Sequence, residues 1–291
     1  MITGKETNFV YLSALLYSDE QYRKCHDNLI ALFIKHNIGY GYLEETKDIW
    51  CRDYMPIQVA EDRYVQFRYE PSYLRDCPEL RSDPHDVCNA NHFDPVFSDI
   101  NLDGGNVVSW SDKAIVTDRI FDENPEYSNR SKLIADLEEL LEVEVIVIPQ
   151  IKSDMTGHAD GMLRFLNGNT VIGNDRSKEF NYWREGIEKV IKEKGLHYID
   201  IPFFEYKSKH FPDNAIGCYI NYLEIADLII LPVFETKINY DREVYDLFTQ
   251  IFPERKIETI NFNEVGLRGG LLNCCSWGVT SGFMKLMALS L

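Results

Sequence analysis

Hydrophobic side chains recur at the spacing of an α-helix in four stretches of the chain. This spacing predicts four helices, with apolar faces at Tyr22, Cys25, Leu29, Leu32 and Phe33; Leu133, Ile134, Leu137, Leu140 and Leu141; Phe180, Trp183, Ile187 and Val190; and Val244, Leu247, Phe248 and Ile251. Ser18 and Gln21 before the first helix resemble a capping box, and Gly39 is expected to close that helix. Gly195 and Pro253 are expected to end the third and fourth helices.

Short runs rich in β-branched residues lie between these helices and predict strands. They include "FVYLSALLY", "RYVQFRY", "KAIVTD", "VEVIVIP", "TVIGN", "HYIDIPF", "DLIILPVF" and "KIETINF". The order strand, strand, helix, strand recurs several times, and no Pro/Gly/Ser-rich linker separates the copies. We therefore expect one α/β domain over residues 1–291. A doubly wound parallel sheet is the alternative, but the Gly-rich phosphate turn typical of that architecture is absent.

Composition narrows the function classes more than it narrows the fold. The formal charge of -17 argues against a nucleic-acid partner, because a surface with excess carboxylates would not release counterions from phosphates. The negative charge favours binding of a cationic small molecule, although it could equally serve only to keep the protein surface soluble. No segment has the roughly 20 apolar residues that a membrane span requires.

The seven cysteines are scattered, with neither a C-x-x-C pair nor zinc-ligand spacing. This usage indicates a reducing compartment, so a cytoplasmic protein is expected. The early apolar run lacks the basic leader and cleavage site of a signal peptide.

Polar residues cluster in four places where strands are expected to end. These stretches are "DIWCRDYMP" with Arg52 and Asp53, "NLDGGNVV" with Asp103, "TGHADGMLRF" with His158 and Asp160, and "LRGGLLNCCSWG" with Cys274. Each alone has a structural explanation. An Arg–carboxylate pair can end a strand, paired glycines tolerate a turn with positive φ that Asp can cap, and a free cysteine is most often a small buried side chain.

His158 and Asp160 are two residues apart, so in an extended segment both would project to one face. A surface ion pair or a satisfied core histidine would give the same pattern. Together, however, a thiol, an imidazole and three carboxylates suit attack on a guanidinium carbon. Carboxylates bind the flat cation, the cation favours the thiolate, and the imidazole exchanges protons.

These four stretches, in this order, resemble the agmatine deiminase and bacterial peptidyl-arginine deiminase family of the guanidine-modifying pentein superfamily. The segments "VTDRIFDENP", "YINYLEIADLIILPVF" and "FPERKIETINFNEV" extend the resemblance over nearly the whole chain. It implies a five-bladed α/β-propeller of ββαβ units around a pseudo-fivefold axis.

The resemblance also implies roles for individual residues. Cys274 would be the nucleophile and His158 the general acid and base, while Cys275 would be structural. Asp53 and Asp160 would bind the guanidinium nitrogens, and Asp103 would hold the acidic position before the Gly-Gly turn. Hydrolytic deimination through a covalent thiouronium intermediate would follow, without a metal or cofactor.

Departures from the family pattern fall where the substrate's tail would be bound. Arg268 and Asn273 replace the glycine and histidine usual in agmatine deiminases, and Asp103 replaces a glutamate; Arg52 is a further binding candidate. The substrate could be agmatine, which would connect the enzyme to polyamine metabolism, or arginine or peptidyl-arginine. If Arg268 faces the pocket, it would disfavour the terminal ammonium of agmatine and favour a carboxylate or a neutral tail.

Two other functions remain open at this point. An amidinotransferase on the same fold would pass the intermediate to an amine, and a catalytically silent relative would only bind guanidinium. A homo-oligomer is possible, and the apolar tail "TSGFMKLMALSL" is expected to pack on the domain or on a partner chain.

Overall fold

Each sheet in the described part of the chain, residues 1–281, contains three strands arranged in the same way. In this computed structural model two strands pair antiparallel, a helical segment follows, and the next strand lies parallel to one of the pair. The predicted order strand, strand, helix, strand is therefore confirmed, in five copies. The tail predicted to pack on the domain lies almost wholly in residues 282–291, outside the described residues.

The first of two compact units, unit 1, comprises Met1–Thr3 and Asp53–Ile201. It contains three of the sheets, formed by β3 (Ile57–Ala60), β4 (Arg63–Arg68) and β5 (Val96–Asn101); β6 (Val108–Ser109), β7 (Lys113–Thr117) and β8 (Glu144–Ile148); and β9 (Leu163–Asn167), β10 (Thr170–Asn174) and β11 (His197–Ile201). The helices that connect these strands are α4 (Pro84–Ala90), α5 (Arg119–Glu123), α6 (Arg130–Leu141) and α7 (Asn181–Lys194).

Unit 2 comprises Gly4–Arg52 and the chain from Pro202 onward. Its two sheets contain β15 (Trp277–Val279), β1 (Phe9–Ser13) and β2 (Gly39–Leu43), and β12 (Leu223–Ile225), β13 (Leu228–Val233) and β14 (Lys256–Asn261). Its helices are α1 (Ala14–Ser18), α2 (Arg23–Lys35), α8 (Asp241–Ile251) and α9 (Asn263–Gly266), and the short helix α3 (Cys51–Tyr54) spans the boundary with unit 1. A single domain over residues 1–291 stays a prediction.

The predicted helices form along their apolar stripes, and one of them, α6, also has a side-chain cap. In α6, the Asn129 side chain accepts hydrogen bonds from the first backbone N–H groups, and Leu133, Leu137 and Leu141 are buried against the strands of unit 1. In α7, Trp183 and Ile187 are buried, and Gly195 ends the helix with φ of 63°. The predicted second, third and fourth helices are thus confirmed.

The start and the end of the first predicted helix were wrong. Ser18 ends α1 instead of capping α2, and the Gln21 side chain and backbone N–H both donate to Asp19. The helix ends at Lys35, followed by Asn37 with φ of 56°, so Asn37 supplies the left-handed residue and Gly39 begins the next strand. The continuation of "FVYLS" is helical because Ser13 caps α1 through its hydroxyl.

Within residues 1–281, every helix is either too short or too polar to cross a membrane.

Candidate active site

Each of the five antiparallel strand pairs is preceded by a polar residue with candidate chemistry. Asp53, Asp103, His158, Asn221 and Cys274 all lie a few residues before the first strand of a pair. Four of these residues belong to the polar stretches found in the sequence. Asn221 was missed because it stands alone between aromatic and apolar residues, and the signal that could have found it is its place in the repeat.

Three of these side chains meet within unit 1. The Nε2 atom of His158 lies 2.7 Å from Oδ2 of Asp103, and its Nδ1 atom lies 3.5 Å from Oδ1 of Asp53. All three side chains are buried. Water therefore screens their charges weakly, and the imidazole is held between two carboxylates.

A glycine makes this close approach possible. The backbone N–H of Gly105 donates to Oδ1 of Asp53 at 3.1 Å. A Cβ atom at Gly105 would lie 2.5 Å from that oxygen and 2.6 Å from Nδ1 of His158. Neither Gly104 nor Gly105 has positive φ, and Asp103 makes no capping hydrogen bond. The turn prediction for "LDGGN" was therefore right about the turn and wrong about the reason for the glycines.

The electrostatic surroundings favour the charged form of His158. Burial of the ring lowers its pKa, but the charge of Asp53, the hydrogen bond and charge of Asp103, and the charge of Asp160 outweigh this effect. Together they raise the pKa of His158 to about 10. The resting imidazole therefore carries a proton at neutral pH.

Asp160 is buried in the short 3-10 turn Ala159–Gly161. The expected extended segment that would project His158 and Asp160 to one face is therefore absent at this point. The carboxylate still acts on the imidazole, because its charge contributes to the raised pKa of His158.

Tyr73 joins this cluster and was not found from the sequence. Its hydroxyl donates to Oδ2 of Asp103 at 2.9 Å, and its ring packs edge-on against the imidazole with centroids 6.0 Å apart. It lies in an irregular connection, the turn Ser72–Leu74, where no periodic pattern marks a functional position.

Cys274 lies in unit 2, with Asn221 as its neighbour. The Nδ2 group of Asn221 donates to Sγ of Cys274 at 3.2 Å, and Oδ1 of the same side chain accepts from the backbone N–H groups of Asn273 and Cys274. One buried amide thus fixes the backbone of the cysteine and directs a donor at its sulfur. Such a donor stabilises a thiolate more than a thiol.

The two adjacent cysteines have different environments. Cys274 is partly exposed, whereas Cys275 is fully buried and its thiol points to the carbonyl of Leu272 at 3.6 Å. Burial raises the pKa of Cys275 well above its usual value, so this thiol is inert at neutral pH.

Of the remaining predicted binding residues of unit 2, Arg52 and Asn273 adjoin Cys274, whereas Arg268 contacts Phe211. The backbone N–H of Arg52 donates to the carbonyl of Cys274 at 3.1 Å, and Asn273 is buried next to it. The guanidinium of Arg268 lies over the ring of Phe211, 5.2 Å from its centroid. Its charge also lowers the pKa of Tyr22, although burial gives that phenol a net upward shift.

Residues 1–281 contain no group of three His, Cys, Asp or Glu side chains placed to hold a metal ion.

Comparison with known proteins identifies a family and a fold for the chain. A sequence model of the family described as Porphyromonas-type peptidyl-arginine deiminase matches residues 8–279. The "Putative agmatine deiminase" of Mycoplasma capricolum is 24% identical over 221 residues, which cover 65% of this chain and 60% of that protein. The chain thus matches somewhat less than two thirds of the length of that curated relative.

Solved structures show the same fold. The Campylobacter jejuni agmatine deiminase matches with a TM-score of 0.74 at 17% identity, over 97% of this chain and 96% of that chain. The "Putative Arginine Deiminase" from Porphyromonas gingivalis matches with a TM-score of 0.77 at 18% identity, over 97% and 98%. With the five ββαβ units, these matches confirm the predicted pentein α/β fold.

Proposed function

Because the chain belongs to the Porphyromonas-type peptidyl-arginine deiminase family, we propose that it hydrolyses a guanidine compound to ammonia and a ureido product. The substrate class is agmatine, arginine or peptidyl-arginine. The observation that carries the proposal is the partly exposed thiol of Cys274 with an amide donor 3.2 Å from its sulfur. A structural cysteine needs no such donor.

The first half of the reaction forms a thiouronium intermediate. The Cys274 thiolate attacks the guanidinium carbon, and a C–S bond forms to give a neutral tetrahedral adduct. His158 then gives its proton to one amino group, which leaves as ammonia when the C–N bond breaks. The product is a cationic thiouronium on Cys274 and a neutral imidazole.

The second half of the reaction regenerates the enzyme. Neutral His158 takes a proton from water while the water oxygen attacks the thiouronium carbon. The C–S bond then breaks, the hydroxyl proton is released, and the carbonyl of the ureido product forms. Cys274 returns to the thiolate, His158 to the imidazolium, and the released proton accompanies ammonia as ammonium.

The carboxylates would have two tasks in this reaction. Asp53 and Asp160 would bind the guanidinium nitrogens, and Asp103 would hold the imidazole and complete the acidic pocket. When the substrate cation is bound, its charge opposes the carboxylate charges that raise the pKa of His158. The imidazolium thereby becomes a stronger acid at the moment when ammonia must leave.

The substrate's tail is proposed to lie near the residues that depart from the agmatine deiminase pattern. The positive charge of Arg268 would repel the terminal ammonium of agmatine, and Asn273 and Arg52 would form the rest of that region. An agmatine kcat/KM far above the values for arginine and peptidyl-arginine would overturn this selectivity. The pairing of Cys274 and His158 on one guanidinium group stays a prediction.

We further propose a cytoplasmic enzyme that needs no cofactor and that can act as a homo-oligomer.

A panel of guanidine compounds tests the proposed function. Wild-type protein is expected to release ammonia and ureido product from at least one compound, without any added acceptor amine. Cys274→Ala should abolish both products, and Cys275→Ala is the matched control because it removes the buried neighbouring thiol. Product formed by Cys274→Ala would show that Cys274 is not the nucleophile. Turnover that requires an acceptor amine would indicate an amidinotransferase, and binding without product would indicate a silent relative.

A further inference from the structure

A single carboxylate oxygen receives two hydrogen bonds in unit 1. Oδ2 of Asp103 lies 2.9 Å from the hydroxyl of Tyr73 and 2.7 Å from Nε2 of His158. A carboxylate oxygen has two lone pairs, so both donors can be accommodated. The Tyr73 ring also contacts the imidazole directly, which places three side chains in mutual contact.

The protonation of the phenol and of the imidazole together sets the direction of both hydrogen bonds. Burial, with the charges of Asp103, Asp53 and Tyr69, raises the pKa of Tyr73 well above its usual value, so its hydroxyl keeps its proton and donates. The raised pKa of His158 means that both ring nitrogens carry hydrogen at neutral pH, so Nε2 donates to Oδ2 of Asp103 at 2.7 Å. That short bond retains hydrogen on Nε2, and Nδ1, 3.5 Å from Oδ1 of Asp53, is the nitrogen that can lose its proton.

The turn that carries Tyr73 is firmly held. The carboxylate of Glu123 accepts from the backbone N–H of Ser72 at 3.0 Å and from its hydroxyl at 2.6 Å. Arg119 pairs with Glu123 at 3.0 Å, donates to the Ser72 hydroxyl, and places its guanidinium 5.5 Å from the centre of the Tyr73 ring. Tyr73 is thus a fixed member of the cluster and not a loop side chain that visits it.

We propose that Tyr73 is a positioning residue, which orients Asp103 so that Asp103 keeps hydrogen on Nε2 of His158 and leaves Nδ1 to exchange the catalytic proton. This inference rests on the proposed role of His158 as general acid and base. The Nδ1 atom faces Oδ1 of Asp53 at 3.5 Å, the side from which a guanidinium bound to Asp53 would present its amino group.

The hydroxyl of Tyr73 also weakens the electrostatic effect of the Asp103 carboxylate on the imidazole. A hydrogen bond donated to a carboxylate disperses its negative charge and weakens its pull on a neighbouring cation. Removing the hydroxyl while keeping the ring should therefore raise the pKa of His158, by about half a pH unit for one hydrogen bond of ordinary strength. The other charged groups facing His158, Asp53 and Asp160, are unchanged by that substitution.

The test is a titration of His158 in the ligand-free protein, followed by NMR of ¹⁵N-labelled imidazole. Tyr73→Phe should raise the pKa of His158 by about half a pH unit. The matched control is Tyr127→Phe, because the Tyr127 hydroxyl donates to Oδ2 of Asp136 at 3.1 Å, outside the cluster. Tyr127→Phe should leave His158 unchanged. An unchanged or lowered pKa in Tyr73→Phe would overturn the proposal.

A second substitution at position 73 is expected to shift the pKa of His158 in the opposite direction. It tests the proposal even if Tyr73→Phe does not fold. A difluorinated tyrosine at position 73 keeps the ring and the hydroxyl but makes the phenol a stronger donor, so the pKa of His158 should fall. A rise or no change would contradict the proposed role. Both titrations are made without substrate, so they are independent of the ammonia assay, whose failure would count against the proposed function alone.

Discussion

Cys274 and Cys275 are neighbours in the chain but differ in every property that controls a thiol. Cys275 is fully buried, and its raised pKa keeps it protonated. Cys274 is partly exposed and has the Asn221 amide as a donor to its sulfur. The choice of Cys274 in the sequence rested on its position in a motif, whereas the structure gives a physical reason for the difference.

We predict that Asn221→Ala slows the alkylation of Cys274 by iodoacetamide at neutral pH. One lost hydrogen bond to the thiolate corresponds to a rate decrease of about fivefold. The rate is measured by mass spectrometry of the peptide that contains Cys274. Asn174→Ala removes a buried amide from unit 1 and is the control, with an expected rate close to wild type. An equal decrease in both variants would show that Asn221 has no specific effect.

Gly105 is predicted to tolerate no side chain. In Gly105→Ala the new Cβ would overlap Oδ1 of Asp53 and Nδ1 of His158, so the cluster must shift. We expect a loss of about 1–3 kcal/mol in the free energy of unfolding, together with a loss of deimination of 100-fold or more, roughly the share of one positioned acid–base group. Urea unfolding and the ammonia assay measure the two effects.

Gly161→Ala is the matched control for Gly105→Ala. Among residues 1–281, no heavy atom beyond the adjoining residues lies within 4 Å of a Cβ built at Gly161, although this glycine directly follows Asp160. Its free energy of unfolding and activity should stay near wild type. If Gly105→Ala behaved like Gly161→Ala, the tight packing around His158 would be refuted.

The raised pKa of His158 also predicts how stability depends on pH. The folded state binds the imidazole proton more tightly than the unfolded state, whose ordinary pKa is 6.5 against about 10 when folded. The resulting stabilisation is fully present below pH 6.5 and is lost as the pH rises toward about 10. Urea unfolding across this range should show a smaller pH slope in His158→Gln than in wild type. An identical slope would mean that His158 is not protonated in the folded protein.

At the scale of elements, the helices with an apolar stripe could be predicted from the sequence, whether or not a side chain caps the first turn. The helices α6, α7 and α8 have such stripes, and their strand partners follow directly in the chain. The start of α2 was predicted wrongly, because the Ser18 taken as its cap belongs to the separate short helix α1. A capping motif is recognised from local sequence alone, whereas the adjoining strand and helix determine which element its residues join.

The C-terminus of α7 gives a prediction at this scale. Gly195 has φ of 63°, and no other side chain of the described part of the chain lies within 4 Å of a built Cβ. Gly195→Ala should therefore lower the free energy of unfolding by about 1 kcal/mol through backbone strain alone. Gly195→Asn should lose less, because asparagine tolerates this conformation. Deimination should be unchanged in both variants, and urea unfolding compares them. Equal losses for alanine and asparagine would contradict the account.

The site residues show the same division between what could be predicted and what could not. Asp53, Asp103, His158 and Cys274 stand in clustered polar stretches that interrupt the apolar pattern, so the sequence marks them. Asn221 is a single polar residue in an apolar stretch, and Tyr73 lies in a loop, so the sequence marks neither of them. Asn221 contacts Cys274 and Tyr73 contacts Asp103 only in the folded protein. A search for one polar residue before each strand pair would have found Asn221.

At the scale of the whole molecule, the repeated order of elements predicted an α/β architecture, and the resemblance of the polar stretches to a known family implied the pentein fold. Three sheets lie in unit 1 and two in unit 2, and each repeats the same connection. The amino-acid sequences of the five repeats differ, because only the alternation of apolar and polar positions is needed to build each sheet. The charge of -17 bears on the substrate and not on the fold, since it favours the approach of a cation.

The most direct test of the central claim is covalent labelling by a haloacetamidine, whose flat cationic group resembles a guanidinium. Wild type and Cys275→Ser should each gain one adduct by intact mass, mapped to Cys274, and faster than with the neutral haloacetamide. Cys274→Ser should gain none. An adduct that persists in Cys274→Ser, or equal labelling by the cationic and the neutral reagent, would contradict a guanidinium-directed nucleophile at position 274.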